Sequence, residues 1–483
     1  MHCAEYKRSR QRQPGRNPGP GVRVLGGGFA ALLLLVAAPP ATSDETAPSP
    51  APVWSWNGLI TIPPDQTAAQ FEAYRGLEGQ PIARVDVTGN SITKDYVIRR
   101  ELASRVGGPF AVNTLLADTE RLNDLDIFGS VTADVRPEST GVAVGIAVTE
   151  MPWLIPYIAL KITDEDGFVI GPAVSSLNLF GRDIAASGRV LFGGSTTFSV
   201  RFTWPWIAAN HLSFDSYAAH LIRDDGVRGF EETSTEVTNW VGTYLGRIGR
   251  ASAGFSYFRM ESDTGGITLD PDDADDLLRL GAVLGMDSRD SKRDPRRGWE
   301  NEIQVWKTGG WLGGDGDFTT ADLDIRRYQP LGARSALLLS NLTSLQSGEL
   351  GADVPVYLDY LMGGSNSIRG YKVDELGREL YGKNQWLVTL EMQRNILPVR
   401  EVVVIKWPVT IGLQVALFAD GGIAWTESED LAMRRVKTGF GIGLRPLLPA
   451  VGMLRLDLAV SADGVRFNLA TQTKPEAQRQ RIR

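Results

Sequence analysis

The sequence predicts a mainly β protein: a sixteen-stranded transmembrane antiparallel β-barrel preceded by one small α+β domain. Three observations predict it. From Trp153 onward, apolar and polar residues alternate in about sixteen segments of roughly eight to twelve residues, separated by turns. After Ala41 no run of about eighteen apolar residues occurs, so a helical membrane anchor is not expected. The chain also opens with the pattern of an exported protein.

"KRSRQRQPGRNPGPGVR" is basic, "FAALLLLVAA" is an apolar run too short to span a bilayer, and "APPATSDE" supplies small residues before turning polar. Residues 1–41 are expected to be a secretory signal peptide. The one cysteine, Cys3, lies inside it, so the exported chain is expected to have neither disulfide nor thiol chemistry. Residues 42–79, rich in Pro, Ala and Thr, read as a linker, with "VWSWNGLI" as a candidate docking segment.

Residues 80–150 predict a strand-helix-helix-strand-strand domain. "PIARVDVTG" is a strand closed by Gly89-Asn90. Ser91 and Thr93 are candidate caps for a helix that places Ile98 and Leu102 one turn apart. Asn113 is a candidate cap for a second helix with Leu115, Leu122 and Leu125 on one side. "SVTADVRPESTGVAVGIAVTE" then gives two strands joined by a Ser-Thr-Gly turn.

The barrel is expected over 152–471, with a polar tail at 472–483. Its clearest strands come late. In "WLVTLEMQ", Trp386, Val388, Leu390 and Met392 share one face, and Thr389, Glu391 and Gln393 the other. "IGLQVALFAD" sends Asp420 to its polar face. "KTGFGIGLR" sets Phe440, Ile442 and Leu444 against Gly439, Gly441, Gly443 and Arg445. "MLRLDLA" sets its leucines against Arg455 and Asp457. An apolar outside with a polar lumen suits a closed barrel in lipid. Short connections, "SGR" and "LGAR", are expected to alternate with long ones, Glu261–Asp276 and Gln346–Gln385.

The longest connection carries "GGSNSIRGYKVDELG", Gly363 to Gly377. A guanidinium folded into a lumen requires carboxylates, and its planar fork suits two. Alternation aims Glu391 and Asp420 inward on consecutive strands. Arg369, Gly370 and Tyr371 with Glu391 and Asp420 therefore form a candidate cluster that anchors the loop; a solvated arginine and two unrelated acids is the bland alternative.

The Arg369-Gly370-Tyr371 triplet, acids in "TLEMQ" and "FADGG", the turn "DSRDSKRDPRRGW" and the "VTGNS" domain together resemble the BamA/TamA superfamily of outer-membrane assembly and translocation proteins, of the bacterial surface antigen type. The resemblance covers roughly 80–471. It implies a single polypeptide-transport-associated (POTRA) domain in the periplasm and a barrel in the outer membrane. It implies that first and last strands, "WLIPYIALKIT" and "VRFNLATQT", pair imperfectly, making Ile158, Leu160, Phe467 and Leu469 the seam. It implies that clients add to a sheet edge of the periplasmic domain, here Val131, Ala133 and Val135. The implied partners are outer-membrane lipid, nascent or unfolded outer-membrane or secreted polypeptides, and periplasmic or lipoprotein accessory factors.

Other chemistries are weak. A net charge of −7 argues against nucleic acid as partner. His211 and His220 fall nine residues apart in one expected strand, on opposite faces, so no metal site is expected. "DPDDADDLL" lacks the spacing of a calcium loop. No Gly-x-Ser-x-Gly elbow and no phosphate-cradling loop occur. Neither a catalytic residue nor a cofactor is expected. The rival readings are a two-partner-type secretion pore for one soluble protein, and a non-transporting structural or adhesive surface barrel.

Overall fold

The computed structural model describes residues 60–61 and 71–471, except 165, 209–210, 247, 292–293, 374–380, 405–406 and 449–451. The expected signal peptide, most of the linker and the polar tail lie outside the described residues.

The small domain runs β1 (Ile82–Thr88), α1 (Asp95–Glu101), α2 (Val112–Asn123), β2 (Phe128–Glu138) and β3 (Gly141–Glu150). β3 is central, parallel to β1 and antiparallel to β2. Ile98, Leu102, Leu115 and Leu122 bury against alternate residues of β2 and β3, including Val131, Ala133, Val135, Val144 and Ile146. Each such leucine, isoleucine or valine contributes about 1.5–3 kcal/mol on full burial.

The expected caps are corrected. α1 starts after Lys94 and α2 after Ala111, neither with a side-chain cap, and Asn113 lies inside α2. Sequence spacing favoured local caps; instead a distant carboxylate holds the 91–93 segment that leads into α1. Glu150, at the end of β3, accepts from Ser91 Oγ at 2.7 Å and from the Ile92 and Thr93 amides. Burial pushes the Glu150 carboxyl up, and these hydrogen bonds together outweigh it, leaving it below the usual range.

Among the described residues, sixteen antiparallel strands make the barrel: β4 (Ile155–Thr163), β5 (Gly167–Leu179), β6 (Ile184–Gly193), β7 (Ser195–Ala208), β8 (Leu212–Asp225), β9 (Phe230–Leu245), β10 (Gly249–Ser262), β11 (Ala274–Asp287), β12 (Gly298–Gly309), β13 (Asp317–Pro330), β14 (Ser335–Gln346), β15 (Asn384–Val404), β16 (Trp407–Trp425), β17 (Lys437–Leu448), β18 (Gly452–Ser461) and β19 (Gly464–Thr471). Neighbours in sequence are neighbours in the sheet, and β19 returns to β4.

Alternation decides the faces. Ile303, Val305, Leu284, Ile442 and Leu444 point outward and are exposed, while Gln304, Trp306, Glu391 and Arg445 point inward and are buried. Water would strand such an apolar exterior; lipid covers it. Trp206, stacked on His211 at 3.7 Å, joins Tyr244 in an aromatic group at the POTRA-side rim. No described helix is long and apolar enough to cross a membrane.

Two expectations on this stretch are corrected. "SGR" (187–189) lies inside β6 rather than in a turn. Ser187 and Arg189 face the lumen, which accepts polar side chains. His211 sits in a turn at φ 57°, ahead of β8, whereas His220 within β8 meets Thr235 Oγ1 at 2.9 Å.

The small domain sits against the barrel through Arg100. Its Nη2 donates to Asp183 at 2.6 Å, and its guanidinium lies 4.6 Å from the Trp206 ring centroid. Asn178 Nδ2 donates to Thr93 Oγ1 at 2.7 Å.

Candidate functional site

The connection after β14 folds into the barrel. Gly363 to Tyr371 are all buried. Its backbone is held by short contacts. Gly364 N–H donates to Tyr371 O at 2.7 Å, and the Ser367 hydroxyl bonds the Gly363 amide and carbonyl, each at 2.6 Å. Gly370 takes φ +101°, a region costly for any side chain with a Cβ, and its carbonyl accepts from Ser461 Oγ at 2.7 Å. Ile368 and Tyr371 pack with Leu342, Met362, Leu387 and Ala424.

Arg369, with no exposed surface, lies between walls. Its Nε and Nη2 donate to both oxygens of Asp420, at 2.7 and 3.0 Å, and its own amide adds a third bond at 3.1 Å. Nη1 reaches Glu391 and Asp457, each at 3.2 Å. The Phe418 ring centroid lies 3.3 Å from the guanidinium carbon. So the structure brings together Arg369, Glu391 and Asp420, all named from the sequence.

It adds four residues that the sequence had not assigned to the cluster. Arg445 grips Glu391 with both Nη atoms, the second at 2.8 Å, and lies 3.5 Å from Asp457. Arg455 lies 3.7 Å from Asp457 and donates to Ser365 O and Asn366 Oδ1 at 3.1 and 2.6 Å. Three arginines thus meet three carboxylates, and the cluster is neutral. Alternation had already turned Arg445, Arg455 and Asp457 inward; what it could not supply was which inward charge lies at the loop's depth. Phe418 shares its strand face with Asp420, so its signal was the same.

The glycines of "KTGFGIGLR" explain how a loop fits so close to the wall. A Cβ at Gly439 would lie 1.9 Å from Arg369 O, and one at Gly441 would lie 2.4 Å from Phe418 Cζ. β17 is therefore a trough in which the loop lies.

The loop also reaches the far side of the barrel's closure. Ser365 N–H and Oγ donate to Asp164, in the turn between β4 and β5, at 2.6 and 2.7 Å. One segment thereby touches β16, β17 and β18 on one side of the seam and the first hairpin on the other. At the seam itself, Ile162 N–H donates to Thr471 Oγ1 at 3.4 Å. β4 and β19, of nine and eight residues, are the two shortest barrel strands among the described residues. Ile158 and Phe467 are exposed on the outer face, and Leu160 and Leu469 half-buried.

β2 is an edge strand of the small domain. Val131, Ala133 and Val135 point into the core, each under a tenth exposed. An incoming strand on this edge would meet main-chain groups and the alternate residues Thr132, Asp134 and Arg136. The barrel encloses a cavity of 1910 Å³, lined by Arg189, Arg201, Glu236 and Glu391 among others, and by Asp126 and Met151 at the small domain.

Residues 178–472 match the Omp85 superfamily domain, and residues 80–151 match the POTRA family described as surface antigen variable number repeat. The chain is similar to the outer membrane protein assembly factor BamA of Nitratidesulfovibrio vulgaris, 26% identical over 375 residues, covering 72% of this chain and 44% of that protein. It is similar to BamA of Neisseria meningitidis serogroup B, 23% identical over 387 residues, covering 71% and 46%. It thus spans less than half the length of these relatives. In fold it is similar to BamA from Haemophilus ducreyi lacking POTRA domains 1–3, with TM-score 0.56, 14% identity and 81% and 83% of the two chains covered. CdiB from Acinetobacter baumannii gives TM-score 0.53, 13% identity and 81% and 73% coverage. With a barrel of sixteen strands, a POTRA domain on its periplasmic side and a family match over more than half its length, this outer-membrane chain belongs to the Omp85 superfamily.

Proposed function

We propose that the protein inserts client polypeptides into the outer membrane, or passes them across it, without covalent chemistry. The observation that carries the reading is the seam: the two shortest barrel strands among the described residues meet there, and a buried loop clasps both sides from within. A short seam leaves fewer ladder bonds to break, so strand edges become available at lower cost there than elsewhere in the wall. Ile158, Leu160, Phe467 and Leu469 would then border the client's path. The β2 edge of the POTRA domain would take an extended client by strand addition, with Val131, Ala133 and Val135 holding that edge to its core. Lipid at the seam and periplasmic or lipoprotein accessory factors are the further partners this reading calls for.

The test is depletion followed by a quantitative census of the outer membrane. Several barrel proteins should fall together. If they hold their levels while one secreted protein disappears, the chain is a dedicated export pore; if nothing changes, the insertion reading fails.

A further inference from the structure

The longest barrel strands form a ribbon that overruns their neighbours. β15 has 21 residues and β16 has 19. β14 accompanies β15 only as far as Arg394, opposite Ser335. β17 accompanies β16 only as far as Gly412, opposite Leu447. Beyond those points, among the described residues, neither β14 nor β17 accompanies the ribbon, and its two strands pair with each other through Arg400↔Ile411 to Val404↔Trp407. β15 is the twelfth barrel strand, so this end of the ribbon lies on the POTRA side, like the start of β4.

A two-stranded ribbon is marginal in water, and its open edges invite another strand. The sequence here, "VREVVV" (Val399–Val404), is rich in β-branched residues, which suit pairing. One edge is already taken. Ile60 and Thr61 pair antiparallel with Val404 and Val403. They belong to the segment before the POTRA domain, and the seven residues ahead of them, "VWSWNGL", carry no charge.

We propose that the ribbon edge is a strand-addition site whose resident occupant is the chain's own segment ending in Ile60–Thr61. The pairing does two things. It covers an edge that would otherwise template aggregation or capture a passing chain in the periplasm. It also gives the POTRA domain a second attachment. The domain is joined to β4 through Met151–Leu154, and nine residues, 62–70, link Thr61 to Phe71. Nine extended residues reach at most roughly 30 Å, so the strap limits how far the domain swings from the barrel mouth.

Cysteine crosslinking tests this in the full chain. Cys3 is the one native cysteine, so a C3S background is free of thiols. Cα partners in an antiparallel pair lie about 4.5–5.5 Å apart, inside disulfide range. I60C/V404C should therefore oxidise to an internal crosslink in folded, heat-modifiable protein. I60C/L397C places the second thiol seven residues along the strand, roughly 23 Å away, and should crosslink at least about tenfold less. T61C/V403C is the second pair, used if the first variant does not fold. Equal crosslinking at 397 and 404, or none in either designed pair, overturns the proposal. So does crosslinking that occurs only between molecules.

Discussion

Arg369→Ala tests the buried cluster most directly. The wild-type site balances three guanidinium groups against three carboxylates. Removing Arg369 leaves one negative charge in excess, and the loss is uneven. Glu391 keeps Arg445, and Asp457 keeps Arg445 and Arg455. Asp420 loses a bidentate partner and the amide geometry that came with it, keeping the Thr389 hydroxyl at 2.9 Å. Breaking a buried pair by deleting one partner costs about 3–5 kcal/mol, chiefly through the charge left behind. That charge can be removed in turn, which makes a double-mutant cycle informative. Asp420→Asn alone should cost a similar amount in the opposite sense of charge. Arg369→Ala with Asp420→Asn should cost less than the two singles summed, by about 1–3 kcal/mol of coupling. Denaturant midpoints in detergent micelles give the free energies, and heat-modifiable migration reports whether each barrel has closed. A cycle that is additive within about 0.5 kcal/mol would refute the reasoning, since it would mean the charges do not act on one another.

The other predictions address separate parts of the molecule. Gly439→Ala should displace the loop with every charge intact, because the new methyl would lie 1.9 Å from Arg369 O; unchanged protease resistance of the loop would contradict this. Glu150→Gln should destabilise the POTRA domain by about 1–3 kcal/mol, read from its urea transition, as charged acceptors for the 91–93 segment become a neutral amide. Asp183, in the turn before β6, lies at the POTRA contact; burial pushes its carboxyl up to about 7, against the pull of Arg100 and with a further push from Glu101. The folded chain then holds a proton that the unfolded chain has lost, so this contribution is full below about 4 and disappears as pH rises through about 7, with an upper bound of about 4 kcal/mol. Asp183→Asn should flatten the stability profile across that window, and an unchanged slope would remove Asp183 from the contact's energetics. A disulfide between I162C and T471C, placed where the seam strands meet, should stop client insertion until reduced; a locked barrel that inserts normally would close the seam as a route.

Much of this site was legible because a barrel wall has a period of two. Once Trp386, Val388, Leu390 and Met392 face lipid, Glu391 must face the lumen, and the same logic turns Asp420, Arg445, Arg455 and Asp457 inward. The pattern gives direction but not height. Register along the barrel axis decides that Asp457 sits level with Arg369, and register comes from hairpins whose turns the sequence marks only loosely. The POTRA caps show the same limit. Ser91 and Thr93 had the right residue type at the right spacing, yet the acceptor that holds them is Glu150, at the far end of the domain in sequence. "SGR" looked like a turn because turns and lumen faces both favour small polar residues. The strand edge at Ile60–Thr61 had no periodic signal at all, since two residues define no period.

The loop's position has a mechanical consequence for the seam. A barrel that must open between its first and last strands cannot be held there by a long ladder, yet a barrel with a weak seam unzips. The internal clasp resolves the conflict by moving the restraint off the seam. On one side the hold is strong: Arg369, Arg445 and Arg455 sit in a buried, neutral charge lattice with the wall. On the other it is light: Asp164 is exposed and holds Ser365 by two hydrogen bonds. Partly buried contacts of this kind contribute about 0.5–3 kcal/mol, against several for breaking the buried lattice. The clasp should therefore release at Asp164 first, leaving the loop seated on β16 to β18 while the first hairpin swings free. Asp164→Ala should lower the yield of the I162C–T471C crosslink without lowering the barrel's denaturant midpoint by more than about 1 kcal/mol. If the same substitution instead unfolds the barrel, or leaves crosslinking untouched, the two ends of the clasp are not unequal in the way the geometry requires.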